Sequence, residues 1–131
     1  MTKNLDNDGL RSIVENYDVF YIDLWGVIHN GVTLHKKAIE TLKEITKAKK
    51  NYVLLTNAPR PNKTVKLFLE KMGMDKEIRE KVYSSGEAAL RYLKKNYLED
   101  KFYHLGPPRD FDLFIDFKKN KENNINESSY L

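Results

Sequence analysis

The stretch Tyr17-Asp18-Val19-Phe20-Tyr21-Ile22-Asp23-Leu24-Trp25-Gly26-Val27-Ile28-His29-Asn30-Gly31 decides how the rest of the chain is read. Its first eight residues are almost continuous in aromatic and β-branched side chains, the composition of a strand buried on both faces of a parallel sheet. A strand over residues 17–24 that runs into a glycine-containing turn leaves the carboxylate of Asp23 at its carboxyl end. Ligands of open parallel sheets bind at that end.

Working outward, residues 8–16 read as a short first helix, with Asp8 as its cap and Leu10, Ile13 and Val14 at helical spacing. Downstream, His35 to Lys50 carries Ala38, Ile39, Leu42 and Ile45 on one face and lysines on the other, and Asn51 is expected to close this helix. Tyr52 to Thr56 is a second apolar run, ended by Asn57-Ala58-Pro59-Arg60-Pro61, where proline forbids ladder donation. A helix over Asn62 to Met72 with Gly73 as its stop, a charged turn from Asp75 to Lys81 and a short third strand Val82-Tyr83-Ser84 follow. Ser85 is expected to cap a helix from Gly86 to Lys95, helped by Glu87. A fourth strand is expected at Phe102 to Gly106, stopped by Pro107 and Pro108, and the tail from Lys118 has no apolar periodicity and is expected to be disordered. Strands alternating with helices imply βαβ units, so the fold class is α/β with parallel strands flanked by helices.

At 131 residues and 40% hydrophobic, the chain has room for one modest core. Zero cysteines exclude disulfides, thiolate catalysis and cysteine metal sites, which suits a reducing compartment. The polar start MTKNLDNDG lacks the basic and apolar segments of a signal peptide, and no apolar run approaches the roughly 20 residues of a membrane span, so a cytoplasmic location with no membrane partner is expected. The net charge is only +4, with lysines interleaved among glutamates, which argues against a nucleic-acid partner.

A carboxylate at the tip of a buried strand can attack a phosphoryl group while a hard cation such as Mg²⁺ screens the repulsion between the two anions. Gly26 lets backbone approach phosphate oxygens, and the turn around it can make an anion-binding concavity. The Thr56 hydroxyl and Asn57 would add donors if the two strands are neighbours. Spacing alone leaves a second reading equally open, in which Asp23 merely caps its turn and Thr56 is an ordinary strand end.

The segment quoted first resembles motif I of the haloacid dehalogenase (HAD) superfamily, and Val53-Leu54-Leu55-Thr56-Asn57-Ala58-Pro59-Arg60-Pro61 resembles motif II of its class IIA members. Tyr83-Ser84-Ser85-Gly86-Glu87-Ala88-Ala89 is similar to the segment leading to the class II cap, and Tyr103-His104-Leu105-Gly106 to the strand that begins it. The likeness runs from Tyr17 to about Phe117. It implies a partial Rossmann-like HAD core over residues 1–100 and the beginning of a cap over 101–117, with 118–131 as the tail. It further implies Mg²⁺-dependent hydrolysis of a small organic phosphate. Asp23 would be both nucleophile and metal ligand, the Trp25 backbone carbonyl a second ligand, and Gly26, Thr56 and Asn57 the phosphate contacts.

Two departures from the family pattern bear on activity. The family's general acid/base is an aspartate two residues after the nucleophile, where this sequence has Trp25, and an indole cannot protonate a leaving alkoxide. The sequence also carries no counterpart of the third motif, a lysine, or of the fourth, an acidic pair. Asp110, Asp112 and Asp116 read as solvated turn residues, and Lys118 and Lys119 as tail. With one carboxylate and one carbonyl, Mg²⁺ would be held weakly. The alternative function is therefore a split or truncated non-catalytic fragment. Its partner would be a separately made carboxyl-terminal half or a second copy joined along the first strand, which would otherwise be an exposed apolar edge. His29 is the histidine placed to reach the site, and Arg60 reads equally as a contact for an anionic substrate or as a surface side chain.

Overall fold

The computed structural model describes residues 4–131; the first residues of the polar start, Met1 to Lys3, lie outside it. Three parallel strands, β1 (Val19–Asp23), β2 (Asn51–Thr56) and β3 (Val82–Ser84), form a sheet in the order β1-β2-β3. Val19 pairs with Asn51 and Asp23 with Leu55, while Leu54 pairs with Val82 and Thr56 with Ser84, so all three strands end together. The crossover from β1 to β2 is α2 (Lys36–Lys47), and β2 reaches β3 through α3 (Asn62–Lys71) and the short α4 (Lys76–Arg79). The short α1 (Leu5–Asp8) precedes β1, and α5 (Ser85–Asn96) follows β3.

Helical periodicity puts Leu42 and Ile45 of α2, Val65 and Leu69 of α3, and Ile78 of α4 into one core with Tyr52, Leu54 and Val82 of the sheet. Phe20 and Ile22 join it from β1, and Leu24 and Ile28 close it beneath the turn after β1. The strand reading is corrected on one point: β1 is not buried on both faces. Its alternate residues Val19 and Tyr21 are exposed, Tyr21 at 72%, and so is Leu55 on β2 beside Asp23. β1 is also the edge of this sheet, so that its open face and its open edge coincide.

Several local expectations fail for identifiable reasons. Residues 8–16 are not one helix: Gly9 sits at φ +68 and breaks the segment into α1, capped by Asn4, and two single 3₁₀ turns at Leu10–Ser12 and Val14–Asn16. Helix α2 is closed by Lys49 in the left-handed region (φ 58), and Asn51 is already the first residue of β2. Part of the charged turn 75–81 is helical and buries Ile78. The cap of α5 is Ser84, whose hydroxyl accepts from the Glu87 amide, while Ser85 is the first helical residue.

The expected fourth strand reduces to Phe102. This residue bridges to Lys121 and Tyr130, while Leu105 is 80% exposed, because the partner here is the chain's own end and not the sheet. After Pro107 the chain winds through 3₁₀ turns over Pro108–Asn120, kinked at Phe117. Phe102 is fully buried among the rings of Phe111, Phe114, Phe117 and Tyr130. The segment 118–131, expected to be disordered, is held to this aromatic cluster by backbone bonds from Tyr103 to Tyr130 and from Ser129 to Lys101. Asp110, Asp112 and Asp116 are not free turn residues either. Asp110 and Asp112 pair with Arg60 at 2.9 and 3.7 Å, and Asp116 pairs with Lys94.

No helix among the described residues is long and apolar enough to cross a membrane.

Candidate active site

Because β1, β2 and β3 end in register, their carboxyl ends bring Asp23, Thr56 and Ser84 to one edge of the sheet. A shallow depression of about 330 Å³ lies there, lined by Asp23, Leu55, Thr56, Asn57, Tyr83 and Ser85 among others. The Asp23 carboxylate is exposed and has no hydrogen-bond or ion-pair partner among the described residues. Nothing in the fold occupies it, which is the condition a nucleophile needs. Thr56 Oγ1 accepts from the Ala58 amide at 3.2 Å, which leaves its own proton to donate.

The turn after β1 is tight. Leu24 O accepts from the amides of Ile28 and His29, and the Gly26 amide donates to His29 O at 2.8 Å. Gly26 stands at φ +77, so its lack of a side chain serves the turn. Its N–H is engaged there, and this arrangement does not present it to a phosphate. Gly31, at φ +91, lies under the Trp25 indole, whose Cη2 would be 2.5 Å from an added Cβ.

His29 is 4% exposed and packs edge-to-face against both Trp25 and Phe68. Its Nδ1 accepts from the Gly31 amide at 3.0 Å, so the neutral ring carries its proton on Nε2. Burial lowers its pKa from 6.5, His35 lowers it further, and the Asp23 charge partly opposes them. A lowered imidazole pKa means that the folded state binds fewer protons than the unfolded one below pH 6.5. The stabilisation is therefore complete above pH 6.5 and is lost as pH falls below it. His29→Asn keeps an acceptor near Nδ1 but cannot titrate. In urea titrations, the wild-type advantage over this variant is expected to be constant above pH 6.5 and to shrink towards pH 5.

The loop after β2 is anchored by residues 84–87, which were expected from sequence only to end β3 and to begin α5. Ser84 is fully buried; its hydroxyl donates to Arg60 O at 2.6 Å, and its amide donates to Asn62 Oδ1 at 2.9 Å. Ser85 donates to Ala58 O, the Gly86 amide bonds the same carbonyl, and Glu87 accepts from the Asn62 amide. A Cβ at Gly86 would stand 2.2 Å from Arg60 N. The available signal was three small residues, Ser84-Ser85-Gly86, directly after a strand, a pattern of close backbone approach.

A second cavity of about 380 Å³ adjoins the first and shares Thr56 and Asn57 with it. Its walls include Leu24, Trp25, His29, Val65 and Phe68, with Arg60 also lining it.

The metal donors expected from the sequence, the Asp23 carboxylate and the Trp25 carbonyl, are two residues apart. Among the described residues no group of three His, Cys, Asp or Glu side chains could hold a metal ion. Two donors leave most of an octahedral Mg²⁺ shell to water, so these residues alone do not form a magnesium site.

Comparison with known proteins gives a consistent picture. A sequence model described as haloacid dehalogenase-like hydrolase matches residues 20–117. Phosphoglycolate phosphatase 2 of Arabidopsis thaliana is 33% identical over 101 residues, covering 74% of this chain and 33% of that protein. Among solved structures, a haloacid dehalogenase-like hydrolase from Brucella suis superposes with a TM-score of 0.71 at 26% identity, over 81% of this chain and 38% of that one. A 4-nitrophenylphosphatase from Thermotoga maritima gives 0.62 at 21% identity, over 78% and 39%. The chain thus spans about a third of the curated relative's length and under two fifths of each of these solved chains.

Proposed function

Because this chain belongs to the haloacid dehalogenase-like hydrolases, we propose that it is a phosphatase-type chain, of class IIA, in which Asp23 attacks a phosphomonoester. An Asp23 carboxylate oxygen forms the new bond to phosphorus as the ester P–O bond breaks, and the leaving oxygen departs with its electron pair. Water then cleaves the aspartyl phosphate, releasing inorganic phosphate and restoring Asp23. The Thr56 hydroxyl orients the phosphoryl oxygens, with Asn57 beside it. The observation that carries this reading is the unpartnered Asp23 carboxylate in a depression shared with Thr56 at the carboxyl edge of the sheet. Mg²⁺ is the cofactor the family implies, with Asp23 and the Trp25 carbonyl as its donors from this chain. They are too few to fix it, and no step is routed through the ion. The test is hydrolysis of an aryl phosphate, with and without added Mg²⁺, by wild type and by Asp23→Asn. Release of phosphate by wild type alone supports the assignment, and equal rates would remove it.

A second reading rests on the bare face and edge of β1. Val19, Tyr21 and Leu55 present apolar surface next to unpaired strand backbone, which invites strand addition. In this reading the chain is not catalytic alone but pairs along β1 with another polypeptide supplying the remaining motifs, or with a second copy. Sedimentation of the purified chain is expected to show association that Tyr21→Lys reverses. A stable wild-type monomer would count against it.

A further inference from the structure

We propose that the cavity walled by Trp25, His29 and Phe68 is the subsite for a planar apolar leaving group, making aryl phosphates, and not carboxylated ones, the preferred esters. The proposal rests on Asp23 being the attacking group and adds to it the class of ester. Thr56 and Asn57 line both the depression holding Asp23 and this cavity, so a phosphoryl group at the first has the second open beside it for its ester substituent. The cavity, at about 380 Å³, exceeds the roughly 150 Å³ that suffices an apolar cavity to take benzene.

Its geometry suits a ring. His29 meets Trp25 and Phe68 edge-to-face at 5.6 and 5.8 Å between centroids, and the lack of a side chain at Gly31 leaves room for the indole. Trp25 stays 65% exposed and Phe68 44%, so both have surface left to cover.

Arg60 is the one cation lining the cavity, and it argues against a second anionic group on the ester. Its guanidinium already pairs with Asp110 at 2.9 Å and Asp112 at 3.7 Å. A carboxylate entering the cavity would have to displace these or meet two like charges.

The chemistry of departure points the same way. Asp23 is the only carboxylate lining either cavity, and as the nucleophile it cannot also deliver a proton, while His29 in the cavity wall is kept neutral by its burial and is a poor acid in that form. A phenolic oxygen, of pKa about 10, leaves as an anion far more readily than an alkoxide near the pKa of water, about 15.7.

Trp25 is the only tryptophan of the chain, so its emission reports on this cavity directly. The experiment is a titration of the wild-type chain with phenylphosphonate, methylphosphonate and phosphonoacetate, followed by tryptophan fluorescence. Phenylphosphonate is expected to bind at least roughly tenfold more tightly than the other two. Phe68→Leu should erase most of that margin, and Asp110→Asn, by removing the nearer of the two carboxylates on Arg60, should raise the affinity for phosphonoacetate alone. Equal affinities, tighter phosphonoacetate binding by wild type, or no response to phenylphosphonate at millimolar concentration would each overturn the subsite. Because binding is read without turnover, failure here is separable from failure of Asp23 as the nucleophile, which the Asp23→Asn assay reads.

Discussion

Replacing Asp23 by Asn is expected to lower aryl phosphate hydrolysis at least about 10³-fold while leaving stability within roughly 0.5 kcal/mol of wild type. The two expectations come from one observation. The carboxylate is exposed and meets no hydrogen-bond or ion-pair partner among the described residues, so an isosteric amide costs the fold nothing it was using. An amide oxygen is a poor nucleophile towards phosphorus, and the covalent route closes with it. A 10³-fold loss is about 4 kcal/mol of barrier. Hydrolysis and urea denaturation on the same preparations separate the effects: a variant that loses activity only because it unfolds would move both.

The largest effect on stability is expected at Gly86. It lies in α5 at a helical position where alanine is intrinsically the better helix former, so any loss must come from its surroundings. An added Cβ would fall 2.2 Å from Arg60 N and 2.5 Å from Arg60 O, and rigid backbone cannot swing away as a side-chain tip can. Gly86→Ala must separate α5 from the loop after β2, breaking the bond from the Gly86 amide to Ala58 O and straining those from Ser84 and Ser85. Overpacking of this kind costs about 3 kcal/mol, a large part of the stability of a small domain. Melting should fall by roughly 10–15 °C. Gly73→Ala is the control: it carries a backbone penalty at φ +83 that Gly86 does not, but meets nothing within 4 Å, and should cost about 1 kcal/mol. Equal losses at the two sites would mean that the Arg60 contact does not hold the loop.

What could be read from the sequence was what is local and periodic. The apolar runs ending at Asp23 and Thr56 gave two strands, and the 3.6-residue spacing over 35–50 and 62–72 gave the helices that cover them, observed over 36–47 and 62–71. Those strands are parallel and adjacent, which is why residues 23 and 56 meet at one edge. An apolar run looks the same whether or not a neighbour covers it, and so the bare face with Tyr21 was misread as buried. Contacts between distant segments were equally invisible: the pairing of Arg60 with Asp110, 50 residues on, and the stacking of Phe102 on Tyr130 depend on how the chain returns. At the site, the residue types announced a carboxylate and a hydroxyl. They could not show that the Gly26 amide is used within its own turn, or that Ser84 and Gly86 hold the loop carrying Thr56 and Asn57 from the other side.

The most direct measurement is to find where the phosphoryl group goes. The chain is mixed with an aryl phosphate and Mg²⁺, quenched in acid, digested and mapped by mass spectrometry. A phosphoryl adduct on the peptide containing Asp23, absent from the Asn variant, is the expected result. An adduct on any other residue, or one that persists in Asp23→Asn, would contradict Asp23 as the nucleophile.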